Sequence, residues 1–267
     1  MQIGFNTSPF IDGAQMPIEE VLEVVAAQGY TGIDICATRD DLDDPSLFPQ
    51  DDRRAYLDTS ERLGLQIVGV VTNLPMINAV WEGRSINIPG AVDLALDIDA
   101  QLVTLHIGTL EGTDNSFDLA WESAVEHLTD VCKYAEEREI LVAIDGIRPN
   151  ALLDSTQKVL ELVRVINSPI LKLNFEPCSL AFANLDPFEV VNELSDLICH
   201  VHVKDYKGTY PDHQPHIPGN GKLDHKAWYT ALKRAKYKDY VVVECDKSHD
   251  LKKSARTGLR TLKKFIK

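Results

Sequence analysis

The stretch HVHVKD, residues 200–205, sets two histidines and a lysine at alternate positions of an otherwise apolar segment. In an extended strand Val201 and Val203 face one side, and His200, His202 and Lys204 face the other. Ionisable groups are rarely buried without partners, so the polar face must meet side chains supplied from elsewhere in the chain.

Seven further segments read as strands: QIGF (2–5), GIDICA (32–37), QIVGVV (66–71), LVTLHIG (102–108), ILVAID (140–145), LKLNFE (171–176) and YVVVEC (240–245). With ICHVHVK (198–204), most are short and almost continuously apolar, as parallel strands covered on both faces are. Helical periodicity fills the gaps. PIEEVLEVVAAQG starts at Pro17 and stops at Gly29. A helix capped by Ser116 carries Trp121, Val125, Leu128 and Cys132 on one face. DSTQKVLELVRVI opens with Asp154 and Gln157 in a capping-box relationship, and Asp224 is placed to cap HKAWYTALKRA. Strand–helix alternation over this length predicts an α/β fold, a single (β/α)8 TIM barrel spanning residues 1–267 as one domain. The rival, a doubly wound open sheet, lacks support: no GxGxxG or GxxxxGK follows a strand. The glycine-rich PGNGKLD (218–224) lies before a late helix.

Composition narrows the setting. A formal net charge of −14 opposes a polyphosphate ligand, so no nucleic-acid partner is expected. The start MQIGFNTSPF has neither the basic nor the apolar region of a signal peptide, and no run is long enough for a membrane span. Five cysteines without a CxxC pair point to reduced thiols and a cytoplasmic location.

Barrel chemistry sits where strands end. The fifth strand ends at Asp145, the sixth at Glu176 and the eighth at Glu244, while the seventh supplies His202. Strand parity puts all four on one rim. Three carboxylates with one imidazole repel one another unless a cation intervenes, and a mixed oxygen and nitrogen set suits a divalent ion. The expected cofactor is therefore one divalent metal ion, Mn²⁺ first, with Mg²⁺, Co²⁺ or Zn²⁺ as alternatives.

At HVHVKD, NFEPCSLAFANLDP (174–187), PGNGKLD and VVVEC the chain resembles the sugar phosphate isomerase/epimerase superfamily, the xylose isomerase-like barrels. The resemblance implies a metal held by Asp145, Glu176, His202 and Glu244, with Asp145 and Glu244 moving protons on either side of a bound sugar. This chain departs from the family twice. The family usually has Glu at position 145 and Asp at 176, and Ser179 stands where it often has His.

Substrate contacts are expected from His106 at the end of the fourth strand, from Lys204 at the rim, and from Trp81 in the loop NLPMINAVWEGRSINIP; His200, one layer deeper, supports the site. The resemblance implies a metal-dependent isomerase or epimerase that moves a proton next to a carbonyl of a small carbohydrate, a keto sugar or sugar phosphate. A dehydratase on a keto-inositol or keto-sugar is the nearest alternative. A degenerate sugar-binding barrel and an apurinic endonuclease-like activity are further ones. The partner is thus a small-molecule carbohydrate, and homo-oligomeric association is left open.

Overall fold

The computed structural model describes residues 1–8, 16–37, 50–72, 75–81, 87–110, 116–245 and 250–266, with the backbone alone at 79–81. Eight parallel strands close into a barrel: β1 (Gln2–Asn6), β2 (Gly32–Cys36), β3 (Gln66–Thr72), β4 (Leu102–Leu105), β5 (Leu141–Asp145), β6 (Leu171–Phe175), β7 (Ile198–Val203) and β10 (Tyr240–Val243). Strand β10 pairs with both β1 and β7, which completes the closure. All eight strands read from the sequence are present.

Alternation along each strand sorts the side chains. Ile33 and Ile35, Val142 and Ile144, Leu173 and Phe175, Val201 and Val203, and Val241 and Val243 join the main apolar core between barrel and helices. The helices that cover them include α1 (Ile18–Gln28), α2 (Gln50–Leu63), α3 (Met76–Trp81), α4 (Ile88–Asp97), α5 (Phe117–Glu136) and α6 (Thr156–Ile166). The layer continues with α7 (Pro177–Phe182), α8 (Pro187–Leu194), α9 (His225–Arg234) and α10 (Leu251–Leu262). The residues between them point into the barrel, where Asn6, Asp34, Thr104, Asn174, His200 and His202 are buried. Beneath them a separate cluster of Val68, Tyr240 and Val242 forms an apolar floor. Tyr240 fits there because Gly32 has no side chain; a Cβ on Gly32 would lie 2.3 Å from the Tyr240 ring.

Helix ends follow the expected chemistry with one correction. Ser116 accepts from Leu119 N at 3.3 Å, and Asp224 accepts from Lys226 N and Ala227 N. Gly29 ends α1 in the left-handed region, at φ 96°. The cap of α6 is Ser155, which accepts from Lys158 N, and not Asp154. The Asp154 carboxylate instead pairs with Lys158 Nζ at 3.2 Å, one residue too early in the chain to reach the first free N–H groups. On α5 the buried face runs through Ala120, Ala124, Leu128, Val131, Cys132 and Ala135, with Trp121 and Val125 at its edge. The small alanines let the helix approach the sheet closely, which turns the bulkier Trp121 toward the margin, stacked on Phe117.

Two short strands were not expected from the sequence. Past β7 the chain forms an antiparallel hairpin, β8 (Asp205–Lys207) with β9 (Gln214–His216). PGNGKLD then folds back over Asp205. The Asp205 carboxylate accepts from Tyr206 N and Leu223 N through Oδ1, both at 2.9 Å. Through Oδ2 it accepts from Gly219 N and Gly221 N at 3.0 and 2.9 Å, with His225 Nε2 at 3.2 Å. A Cβ on Gly221 would lie 2.1 Å from Asp205 Oδ1, so only glycine admits this approach. The latch fixes the backbone directly after Lys204.

Burial alone would raise the Asp205 carboxyl, but the His225 bond and the ring of backbone N–H groups outweigh it and hold it down at about 2. A depressed folded pKa stabilises above the unfolded value of 3.8, and that contribution is lost as pH falls toward 2. Asp205→Asn is expected to cost about 1–3 kcal/mol at neutral pH, because it leaves buried donors facing an amide. Urea unfolding of both proteins at pH 7 and near pH 3 checks this: the gap should be widest at pH 7 and narrow in acid. Equal stability at pH 7 would refute the latch.

Candidate active site at the barrel mouth

Four strands deliver charged side chains to the mouth, at their C-terminal ends. Asp145 closes β5; its Oδ1 accepts from Asn174 Nδ2 and Gly146 N, both at 3.1 Å, and its Oδ2 pairs with Arg148 Nη2. Glu176 follows β6 and is 2% exposed. Its Oε2 accepts from the Ser179 hydroxyl and lies 3.3 Å from Arg148 Nη2, while Oε1 pairs with Lys204 Nζ. The same ammonium donates to Glu244 Oε2 at 3.3 Å, just past β10. The side chains of Asp145, Arg148, Glu176, Lys204 and Glu244 therefore form one chain of alternating charge around part of the rim.

One layer deeper, Asp34 from β2 meets the histidines of β7. Asp34 Oδ2 lies 2.8 Å from His200 Nε2 and 2.7 Å from His202 Nε2, and the two nitrogens are 3.1 Å apart. All three residues are buried. With Nε2 engaged by Asp34, the Nδ1 of His202 is left on the rim side, 3.9 Å from Glu244 Oε2.

The electrostatics follow from these contacts. Burial alone would depress the His202 imidazole, but its bond to Asp34 and the charges of Asp34, Glu244 and Asp145 hold it up at about 9. Burial would raise Asp34; the charge and bond of His200, aided by His202, bring it down to about 2. Asp34 and His202 thus form an internal ion pair at neutral pH. Burial opposes ionisation of Glu176 too, yet Lys204, Arg148 and Ser179 hold its carboxyl well below the usual range. Glu244 goes the other way: burial and the charges of Glu176 and Asp145 raise it, against the opposing pull of Lys204 and His202. Of the two mouth carboxyls with a displaced pKa, Glu244 is the one moved toward neutrality. His106, directly after β4, is lowered to about 4 by burial and by Arg148, and its buried Nδ1 has no hydrogen-bond partner. It is a neutral imidazole with unused hydrogen-bonding capacity.

Asp145, Glu176, His202 and Glu244 thus lie around the mouth with Lys204 among them. Their donor atoms are not gathered as a group. Among the described residues, the set of three or more His, Cys, Asp or Glu donor atoms within 4.8 Å of one another is Asp34, His200 and His202. His200 lies beneath the rim beside His202, as strand parity requires. The side chain of Trp81 lies outside the described residues. Sequence reading missed two members, Asp34 and Arg148. GIDIC carries its aspartate between isoleucines, on the inward parity, and that was the available signal for Asp34.

Comparison with known proteins agrees with this architecture. Fructoselysine 3-epimerase of Shigella flexneri is 23% identical over 258 residues, 90% of this chain and 89% of that protein. The structure of 3-keto-D-glucoside 4-epimerase from E. coli superposes with a TM-score of 0.79 at 15% identity, over 99% of both chains. That of an IolI protein with a bound zinc atom does so with a TM-score of 0.75 at 19% identity, over 100% of this chain and 96% of that one. The family model described as xylose isomerase-like TIM barrel matches residues 22–265, and the chain belongs to that family.

Proposed function

We propose that the chain is an isomerase or epimerase of a small carbohydrate, working by proton transfer at a carbon next to a carbonyl. The observation that carries this reading is the mouth itself, where the carboxylates of Asp145 and Glu244 stand at the two ends of one run of alternating charge through Arg148, Glu176 and Lys204. The names of relatives, a fructoselysine epimerase and a ketoglucoside epimerase, support the substrate class. Glu244, raised by burial and by its carboxylate neighbours, is shifted in the direction that suits a group which both accepts and returns a proton. Asp145 is the second proton carrier, separated from Glu244 along the barrel by β6 and β7. His106, neutral and with a free nitrogen, suits a substrate hydroxyl or carbonyl oxygen. Lys204 holds the backbone-anchored end of the rim, where a hydroxyl of the ligand would also meet it. Dehydration starts from the same enediolate, so a dehydratase on a keto-sugar is the neighbouring reaction.

The donor set suits one divalent metal ion, Mn²⁺ before Mg²⁺, Co²⁺ or Zn²⁺, held by Asp145, Glu176, His202 and Glu244. His202 has the placement of a ligating histidine, with Nε2 engaged by a buried carboxylate and Nδ1 on the side of Glu244, and binding an ion there requires Nδ1 to give up its proton. When bound, the ion would polarise the carbonyl and its adjacent hydroxyl. The close grouping of Asp34, His200 and His202 favours a second placement, in the layer below.

Metal titration of variants separates the two. With the ion at the mouth, His202→Ala abolishes tight binding, Glu244→Gln weakens it by about tenfold or more, and His200→Ala has the smaller effect. With the ion below, Asp34→Asn and His200→Ala are the severe losses and Glu244→Gln is mild. Full, equal metal content in wild type and His202→Ala would rule out both.

The reaction itself is checked with a panel of sugars, phosphorylated and not, in deuterated water. Product from an active sugar should carry solvent deuterium at the carbon beside the carbonyl, and Glu244→Gln should lower its formation by about 10²–10⁴-fold, the range for losing a general acid or base. Binding of sugars with no turnover would favour a degenerate sugar-binding barrel.

A further inference from the structure

Arg148 and Lys204 do more than line the mouth. Each bridges two of the carboxylates assigned to the metal: Arg148 joins Asp145 to Glu176, and Lys204 joins Glu176 to Glu244. None of the three acids is left without a cation. Two of the three acids are also held by neutral donors. Asp145 is tied by Asn174 Nδ2 and Gly146 N, and Glu176 by the Ser179 hydroxyl. Arg148 and Lys204 approach on long side chains that retain 25% and 17% exposure, so they have a route toward solvent.

A divalent ion among Asp145, Glu176 and Glu244 would stand beside both cations and repel them at short range, in a buried setting where screening is weak. Two single charges leaving and one double charge arriving keeps the local balance. We propose, building on the metal placement at the mouth, that Arg148 and Lys204 are resident counter-cations, and that a divalent ion binds there only by displacing them from the carboxylates. The metal-free site is then a stable resting state, and metal affinity is set by competition with the chain's own side chains.

The test uses the full chain stripped with chelator and titrated with Mn²⁺ by calorimetry, with melting curves recorded alongside. Arg148→Gln and Lys204→Gln keep an N–H donor for the carboxylates but remove the charge, which protects folding. Each is expected to bind Mn²⁺ about tenfold more tightly than wild type, in line with couplings between residues that share a partner, and Arg148→Lys to stay within about threefold. Each Gln variant should also melt lower than wild type in chelator and regain stability in saturating Mn²⁺. Unchanged or weaker affinity in both, with wild type binding normally, would overturn the exchange and leave the metal placement standing. Binding that vanishes in Asp34→Asn and ignores both cations would overturn the exchange by putting the ion in the layer below. No binding by any variant would overturn both the exchange and the metal reading.

Discussion

Asp34 has no solvent exposure, and one of its oxygens faces two imidazole nitrogens at 2.7 and 2.8 Å. A carboxylate in that position is tolerable only because its charge is met on the spot. Strand alternation turns the β7 histidines inward, the contact holds them against β2, and Lys204 follows two residues further along the same face. Lys204 in turn joins Glu176 and Glu244 across β7, the strand between β6 and β10. The polar interior is thus organised from below upward, each charge placed by the opposite one beneath or beside it.

The two acids of β5 and β6 differ in reach, and each has its own set of partners. Asp145, the shorter acid, stays close to its strand, held by Asn174 on the neighbouring β6 and by its own following N–H. Glu176, the longer one, reaches Arg148 on one side and Lys204 on the other. Ser179 donates to that same carboxylate, a role a hydroxyl fills without a proton exchange of its own. Ser179 is thus joined to Glu176 directly, and Asp145 is joined to it through Arg148.

The barrel was legible because strand and helix periodicities alternate cleanly, and strand parity alone brought Asp145, Glu176, His202 and Glu244 to one end. What escaped has a common cause. Asp34 is 166 residues from His200, and a single aspartate between isoleucines carries no sign of so distant a partner. Arg148 sits in the turn after β5, where no repeating pattern fixes a side-chain direction. The β8–β9 hairpin consists of three-residue strands, below the length at which alternation can be read. The cap at Ser155 was hidden by Asp154, an equally good capping residue one position away, and geometry chose between them.

The Tyr240 ring over Gly32 bears on which groups the buried pair meets. Its hydroxyl donates to Gln2 Oε1 and Thr31 O, and its ring packs with Val68 and Val242. The Tyr240 hydroxyl is thus turned to the backbone and Gln2 at the strand starts, away from the Asp34–His202 pair. On the other side the Nδ1 of His202 lies 3.9 Å from Glu244 Oε2, so the buried pair meets the titratable groups of the mouth through that approach. A ligand seated over the mouth would cover the side on which His202 approaches Glu244.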